Sequence, residues 1–273
     1  MTYGFEVASG FLYRYRPYRP DELRLLLTAG QIRFSDANYF NDPWDCRPLI
    51  RNAFPNDGAE ITRWVKWVVR ARLEHGIISA EGANAEEARL SGDPALLESE
   101  IRNGRLEVIK RVRTDYRVLC LSEDYRHPLM WSHYANRHTG ICQIFDAHDD
   151  VIGTADDVIY PKGYPGIDFP ISDSDTDALV TATFLTKAEY WNYEQEFRVI
   201  AKESTAAGDW PLRCHQGYVQ IKPTALVGLI LGCQMEPPHQ REAIAIAKAA
   251  AHKINIYYAE LDEDSYNLLF TRV

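Results

Sequence analysis

Four short segments carry side chains whose types and spacing suit chemistry. The first is Tyr13-Arg14-Tyr15-Arg16. On a strand, Arg14 and Arg16 share a face two residues apart, a fork suited to a phosphate or pyrophosphate. The second is Phe40-Asn41-Asp42-Pro43-Trp44-Asp45. Asn-Asp-Pro is turn chemistry, and Asn41, Asp42 and Asp45 add groups for a substrate hydroxyl or a metal. The third is Met130-Trp131-Ser132-His133-Tyr134-Ala135. There Trp131 and Tyr134 offer a stacking wall for a nucleotide, with His133 as a polar handle and a candidate catalytic residue. His133 and His138 are five apart, which is not the spacing that puts two zinc ligands on one helix face. The fourth is Trp191-Asn192-Tyr193-Glu194-Gln195-Glu196-Phe197-Arg198. Strand alternation would align Glu194, Glu196 and Arg198. Two carboxylates about 7 Å apart on one strand raise one pKa unless a cation sits close. Arg198 is the expected cation and, with Arg14 and Arg16, a candidate for holding a cofactor.

These segments need elements to hold them. FLYRYR (11–16) alternates and reads as a strand, stopped by Pro17 and Pro20. Asp21 is placed to cap a helix that ends at Gly30. QIRFSD (31–36) reads as one short strand carrying Ser35, and ANYFNDPWDC as a loop. Apolar residues at 61, 64, 65, 68 and 69 repeat at helical spacing. A polar stretch and a second helical run to about Arg113 follow, so 55–115 reads as a helical insertion. YRVLCLSED (116–124) and ICQIFD (141–146) read as strands flanking a short helix at PLMWSHYANRHTG. A helix or turn is expected around 187–192 and a strand over 194–201. YVQIKPTALVGLILG reads as strand, proline turn and strand, HQREAIAIAKAAAHK as an amphipathic helix, and INIYYAEL as a final strand. The pattern predicts one α+β domain with mainly antiparallel sheets, flanking helices and the insertion.

Composition narrows the partners. The chain has 273 residues and a formal net charge of −9. Overall acidity argues against coating nucleic acid, although a local basic groove is compatible with it. Most of the excess lies between Cys142 and Asp177, with nine aspartates against Lys162. DSDTDALV in this window lacks the closing Glu of a calcium loop. The insertion balances its charges, with no basic stripe. Five cysteines without a Cys-x-x-Cys pair read as reduced thiols of a cytoplasmic protein. No run reaches the ~18 apolar residues of a membrane span, and the first residues lack the basic-then-apolar form of a secretory signal.

Taken in order, LYRYR (12–16), FNDPWD (40–45), CLSED with PLMWSHYA and Gly140 (120–140), YWNYEQEFR (190–198) and VGLILG (227–232) resemble the bacterial domain-of-unknown-function family 2971. The resemblance covers nearly the whole chain outside the insertion and carries no established activity. The opening is also similar to ADP-ribosyltransferase folds. Those have an Arg or His on the first strand, a hydroxyl residue on the second, and a catalytic Glu, often in Glu-x-Glu, on a later one. That resemblance implies Arg14 on NAD phosphates, Ser35 as the hydroxyl residue, Trp131 or Tyr134 on nicotinamide, and Glu194 or Glu196 on the ribose. At 34–36 this chain reads Phe-Ser-Asp rather than Ser-Thr-Ser. It implies an NAD-dependent ADP-ribosyltransferase or NAD glycohydrolase, as in a toxin or phage-defence effector, with a protein or nucleic-acid acceptor.

Two other readings stand beside it. Asp42, Asp45, His133, Glu194 and Glu196 are oxygen and imidazole donors suited to Mg²⁺ or Mn²⁺ in a phosphodiester or nucleotide hydrolase. Alternatively, exposed aromatics and the acidic connection form the partner surface of a non-catalytic sensor or binding module.

Overall fold

The computed structural model describes residues 10–52, 57–74, 76–169, 176–206 and 210–273. In chain order, the first elements are β1 (Phe11–Arg16), α1 (Pro20–Ala29), β2 (Gln31–Arg33), β3 (Ser35–Asp36) and β4 (Leu49–Asn52). Then come α2 (Gly58–Glu74), α3 (Ala83–Gly92), α4 (Pro94–Asp115), β5 (Tyr116–Ser122), α5 (Pro128–Tyr134) and β6 (Ile141–Asp146). The short strands β7 (Asp156–Asp157) and β8 (Gly166–Phe169) precede α6 (Thr176–Phe184) and β9 (Glu196–Glu203). The chain closes with β10 (Arg213–Cys214), β11 (Tyr218–Gln220), β12 (Leu226–Leu231), α7 (Pro237–Lys248), β13 (Asn255–Leu261) and β14 (Leu268–Arg272). The fold is α+β.

One twisted sheet organises the molecule. Its order is β10-β9-β5-β1-β6-β12-β13-β14, with β3 added on β5 and β7 on β9. Most neighbours are antiparallel; β10–β9 and β12–β13 are parallel. The β12–β13 crossover runs through α7, whose Ala243, Ile246 and Ala247 face the core. Leu12, Leu121, Phe145, Val199 and Leu229 pack on one side with α1 and α7. Tyr13, Tyr15, Tyr125, Met130 and Trp131 pack on the other with α5. Strand β1 is therefore buried on both faces, as its aromatic and arginine alternation requires once helices cover each side.

Helices α2 to α4 occupy the expected insertion and carry their own apolar cluster, including Trp64, Val68, Leu90, Leu97 and Ile101. Asp57 caps α2 through Glu60 N (2.8 Å), and Asp93 caps α4 through Ala95 N and Leu96 N. Arg72 joins the three helices by pairing with Glu86 and Glu100.

Several expectations shift. Asp21 makes no cap; Arg19 precedes α1 and Pro20 opens it, since proline has no amide to leave unsatisfied there. Residues 31–36 form two strands: β2 pairs with β11, while β3 pairs with β5. The strand expected at 194–201 starts at Glu196. The amphipathic helix spans 237–248 rather than 239–253. The first nine residues, read for a leader, and 170–175 of the acidic segment lie outside the described residues. Among the described residues no helix is long and apolar enough to cross a membrane.

Candidate functional site

A gap in the sheet makes the site. Strand β1 pairs with β6 along all six residues but with β5 only at Tyr13↔Ser122. Beyond that register the two strands part. A cleft of about 330 Å³ opens between Arg14, Tyr15 and Arg16 on one bank and Cys120 and Leu121 on the other. Ser35, Phe40 and Asn41 from the segment after α1, His133 and Tyr134 from α5, and Lys187, Glu194 and Glu196 complete it.

The carboxylates do not share a strand face. Glu194 ends a short 3-10 turn over Glu189–Glu194, and Glu196 begins β9. Between them Gln195 adopts φ 44°, the left-handed conformation that non-glycine residues seldom hold. Ser122 Oγ donates to Glu194 O (2.5 Å), Glu123 N to Gln195 O (3.1 Å), and Glu196 N to Tyr160 Oη (2.9 Å). These bonds clamp the bend, and both side chains reach the same buried cluster.

Two cations hold that cluster. Arg198 is completely buried and uses all five of its N–H donors. It bonds both oxygens of Asp45 and both oxygens of Glu196, each at 2.8 Å, and Phe184 O at 3.0 Å. Lys187 Nζ contacts Glu194, Glu196 (3.4 Å) and Asp45 (3.5 Å), and lies 4.9 Å from the centre of the Trp191 ring. Tyr134 Oη donates to Glu194 Oε1 at 2.6 Å.

The two carboxylates titrate in opposite directions. Burial alone would raise Glu196; Arg198 and then Lys187 more than offset it and hold the group at about 2. Burial raises Glu194, with Lys187 opposing and Glu196 adding to the rise. Burial would lower Lys187, but Glu196, Asp45 and Glu194 keep it a firm cation. Tyr134 is pushed up by burial and keeps its proton. Burial and neighbouring Arg16 make the Arg14 guanidinium less basic than usual.

Most of the residues singled out in the sequence meet in this cleft: Arg14, Arg16, Ser35, Asn41, His133, Tyr134, Glu194 and Glu196. The two arginines are not an open fork, because Arg14 donates to Arg33 O (2.5 Å) and Arg16 pairs with Glu22 (2.8 Å). Three expectations are corrected. Trp131 is fully buried, donates to Tyr125 O and packs against Tyr15, so it presents no stacking wall. Arg198 lies beneath the carboxylates with every donor used, so it grips no ligand. Asp42 lines a neighbouring cavity and accepts from Trp44 N, closing the turn. Lys187 and Tyr160 were not legible. Lys187 is the single lysine between Lys162 and Lys202. The need of gathered carboxylates for a cation is the signal that would have found it.

The donor set does not fit a divalent cation. The space between Asp45, Glu194 and Glu196 is filled by the Lys187 ammonium and the Arg198 guanidinium. Among the described residues no group of three His, Cys, Asp or Glu is arranged to hold a metal. Comparison with family models, curated proteins and solved structures finds no match.

Proposed function

We propose that the cleft binds a nucleotide of the NAD type and cleaves its nicotinamide–ribose bond, as an ADP-ribosyltransferase or NAD glycohydrolase does. The observation that carries this reading is the meeting of Arg14 and Ser35 with Tyr134, Glu194 and Glu196 in one cleft. Cleavage sends the electron pair of the C1′–N bond to the nicotinamide ring nitrogen and leaves an oxocarbenium-like ribose. Glu196, ionised at any neutral pH, supplies negative charge toward that centre. Glu194, with raised proton affinity, takes the proton that a water or acceptor hydroxyl loses as it adds to C1′. Tyr134 and Lys187 orient Glu194 for that task. The donors that Arg14 and Arg16 keep beyond those on Arg33 O and Glu22 favour the phosphates, and the exposed His133 beside Tyr134 and Trp191 borders the ring. A cleft lined by Arg14, His133, Glu194 and Glu196 together counts against a non-catalytic module. The same motifs resemble those of domain-of-unknown-function family 2971, and five unpaired cysteines suit a reducing cytoplasm.

The test is nicotinamide release from NAD by the purified protein. Glu196→Gln and Glu194→Gln are expected to lower it by about 100-fold or more. Absence of NAD binding by calorimetry, together with no turnover on any offered protein or nucleic-acid acceptor, overturns the reading.

A further inference from the structure

A second cavity, of about 510 Å³, lies on the other side of the wall made by Asn41, Asp45 and Lys187, which line both spaces. Its character differs from the first. Trp44, Tyr164, Tyr190 and Trp191 surround it. Trp44 is 64% exposed and Tyr190 is 85% exposed. Large aromatic rings left this open, grouped about one concavity, are unusual in a protein surface that has no use for them. The loop 161–165 over the cavity is fastened by Tyr164 Oη donating to Arg47 O. Polar groups sit at defined places: Asp42 and Asp45 in the wall, Lys162 and Glu189 at the lining.

A flat ring satisfies this arrangement better than an aliphatic one. Ring faces stack on exposed aromatics, edge N–H donors meet Asp42 and Glu189, and Lys162 suits an attached phosphate. We propose that the second cavity is a nucleobase subsite, in which the base of a nucleotide stacks on Trp44 and Tyr190 with its phosphate toward Lys162. The assignment does not depend on the glycosyl chemistry of the first cleft. A base bound here sits across the Lys187 wall from Glu194.

Calorimetric titration tests it, using adenosine 5′-monophosphate, cytidine 5′-monophosphate, a single-stranded tetranucleotide, and ribose 5-phosphate as the probe without a base. The mononucleotides are expected to bind at least tenfold more tightly than ribose 5-phosphate. Trp44→Ala and Tyr190→Ala are each expected to weaken nucleotide binding on the order of tenfold. Both side chains are largely exposed, so these variants keep the fold. Tighter binding of the tetranucleotide supports the subsite and identifies a nucleic-acid strand as its source; equal binding supports it with a free nucleotide as the source. Equal affinity for ribose 5-phosphate, undiminished binding by both variants, or no binding at millimolar concentration overturns the assignment. If nicotinamide release persists while these titrations fail, this subsite falls and the glycosyl reading stands. If the titrations succeed without NAD turnover, the reverse holds.

Discussion

Glu194 and Glu196 are two residues apart and do different work because their partners differ. Glu196 is bound at both oxygens by Arg198, so its negative charge is fixed. Glu194 is held by Tyr134 on one oxygen and Lys187 on the other, and it faces the cleft. Removing the tyrosine hydroxyl removes a bond to the ionised form of Glu194, whose proton affinity then rises further. In the proposed reaction Glu194 accepts a proton and must be ionised to act. Tyr134→Phe is therefore expected to move the acid limb of the kcat/KM profile to higher pH and to lower the plateau about tenfold. A pH–rate profile of nicotinamide release reads both. An unchanged acid limb assigns the proton acceptor to another group. Residue types alone marked both glutamates, Tyr134 and Arg14 as reactive. They did not reveal that Arg198 had no donor to spare, because its partner Asp45 is distant along the chain.

The elements that position these residues meet at a few tight places. Gly30 ends α1 at φ 65°, donates to Leu26 O and accepts from Ile221 N (2.8 Å). A Cβ there would lie 2.1 Å from Ile221 O. Gly30→Ala thus adds left-handed strain and a backbone clash at once. It is expected to cost roughly 2–4 kcal/mol in urea unfolding. The turn also carries the chain into β2 and β3, which bring Arg33 O to Arg14 and Ser35 to the cleft. Partial loss of ligand binding is therefore expected in whatever fraction remains folded. Strands β1, β5, β6 and β12 and helix α2 were legible, because long apolar periodicity survives any tertiary context. The bend at Gln195 was not. Alternation predicts a continuous strand through Glu-Gln-Glu, and only the bonds from Ser122, Glu123 and Tyr160 compensate a left-handed residue inside it. β4, α6 and β14 were also missed. β4 and β14 are short and take their register from a partner strand, β8 and β13.

At the scale of the molecule, the buried cluster couples stability to pH. The folded state holds Glu196 at about 2 against an ordinary 4.5, so this group stabilises the fold above pH 4.5. That contribution is lost as pH falls from 4.5 toward 2, and amounts to ~3 kcal/mol at most. Glu194 is raised and acts with the opposite sign, gaining stability as it protonates, so the net loss is smaller. Urea unfolding followed from pH 6 to pH 3 is expected to show falling stability in the wild type and a flatter dependence in Glu196→Gln. An equal slope in both proteins shows that Glu196 does not couple folding to protons.

The chain's overall acidity has little bearing on the cleft. Three carboxylates face two cations there, and Arg14 and Arg16 stand on the opposite bank. The sequence by itself determined the class of fold, the helical insertion and the four segments that carry reactive groups. Periodicity and residue type are local properties, and they persist after folding. Only the tertiary structure decided which of those groups meet and which are already satisfied. It buried Trp131, used every donor of Arg198, brought Lys187 among three carboxylates and parted β1 from β5 to open a cleft. Each of these depends on partners remote in sequence, and a hydrogen bond or ion pair exists only once the chain has brought both partners to one place.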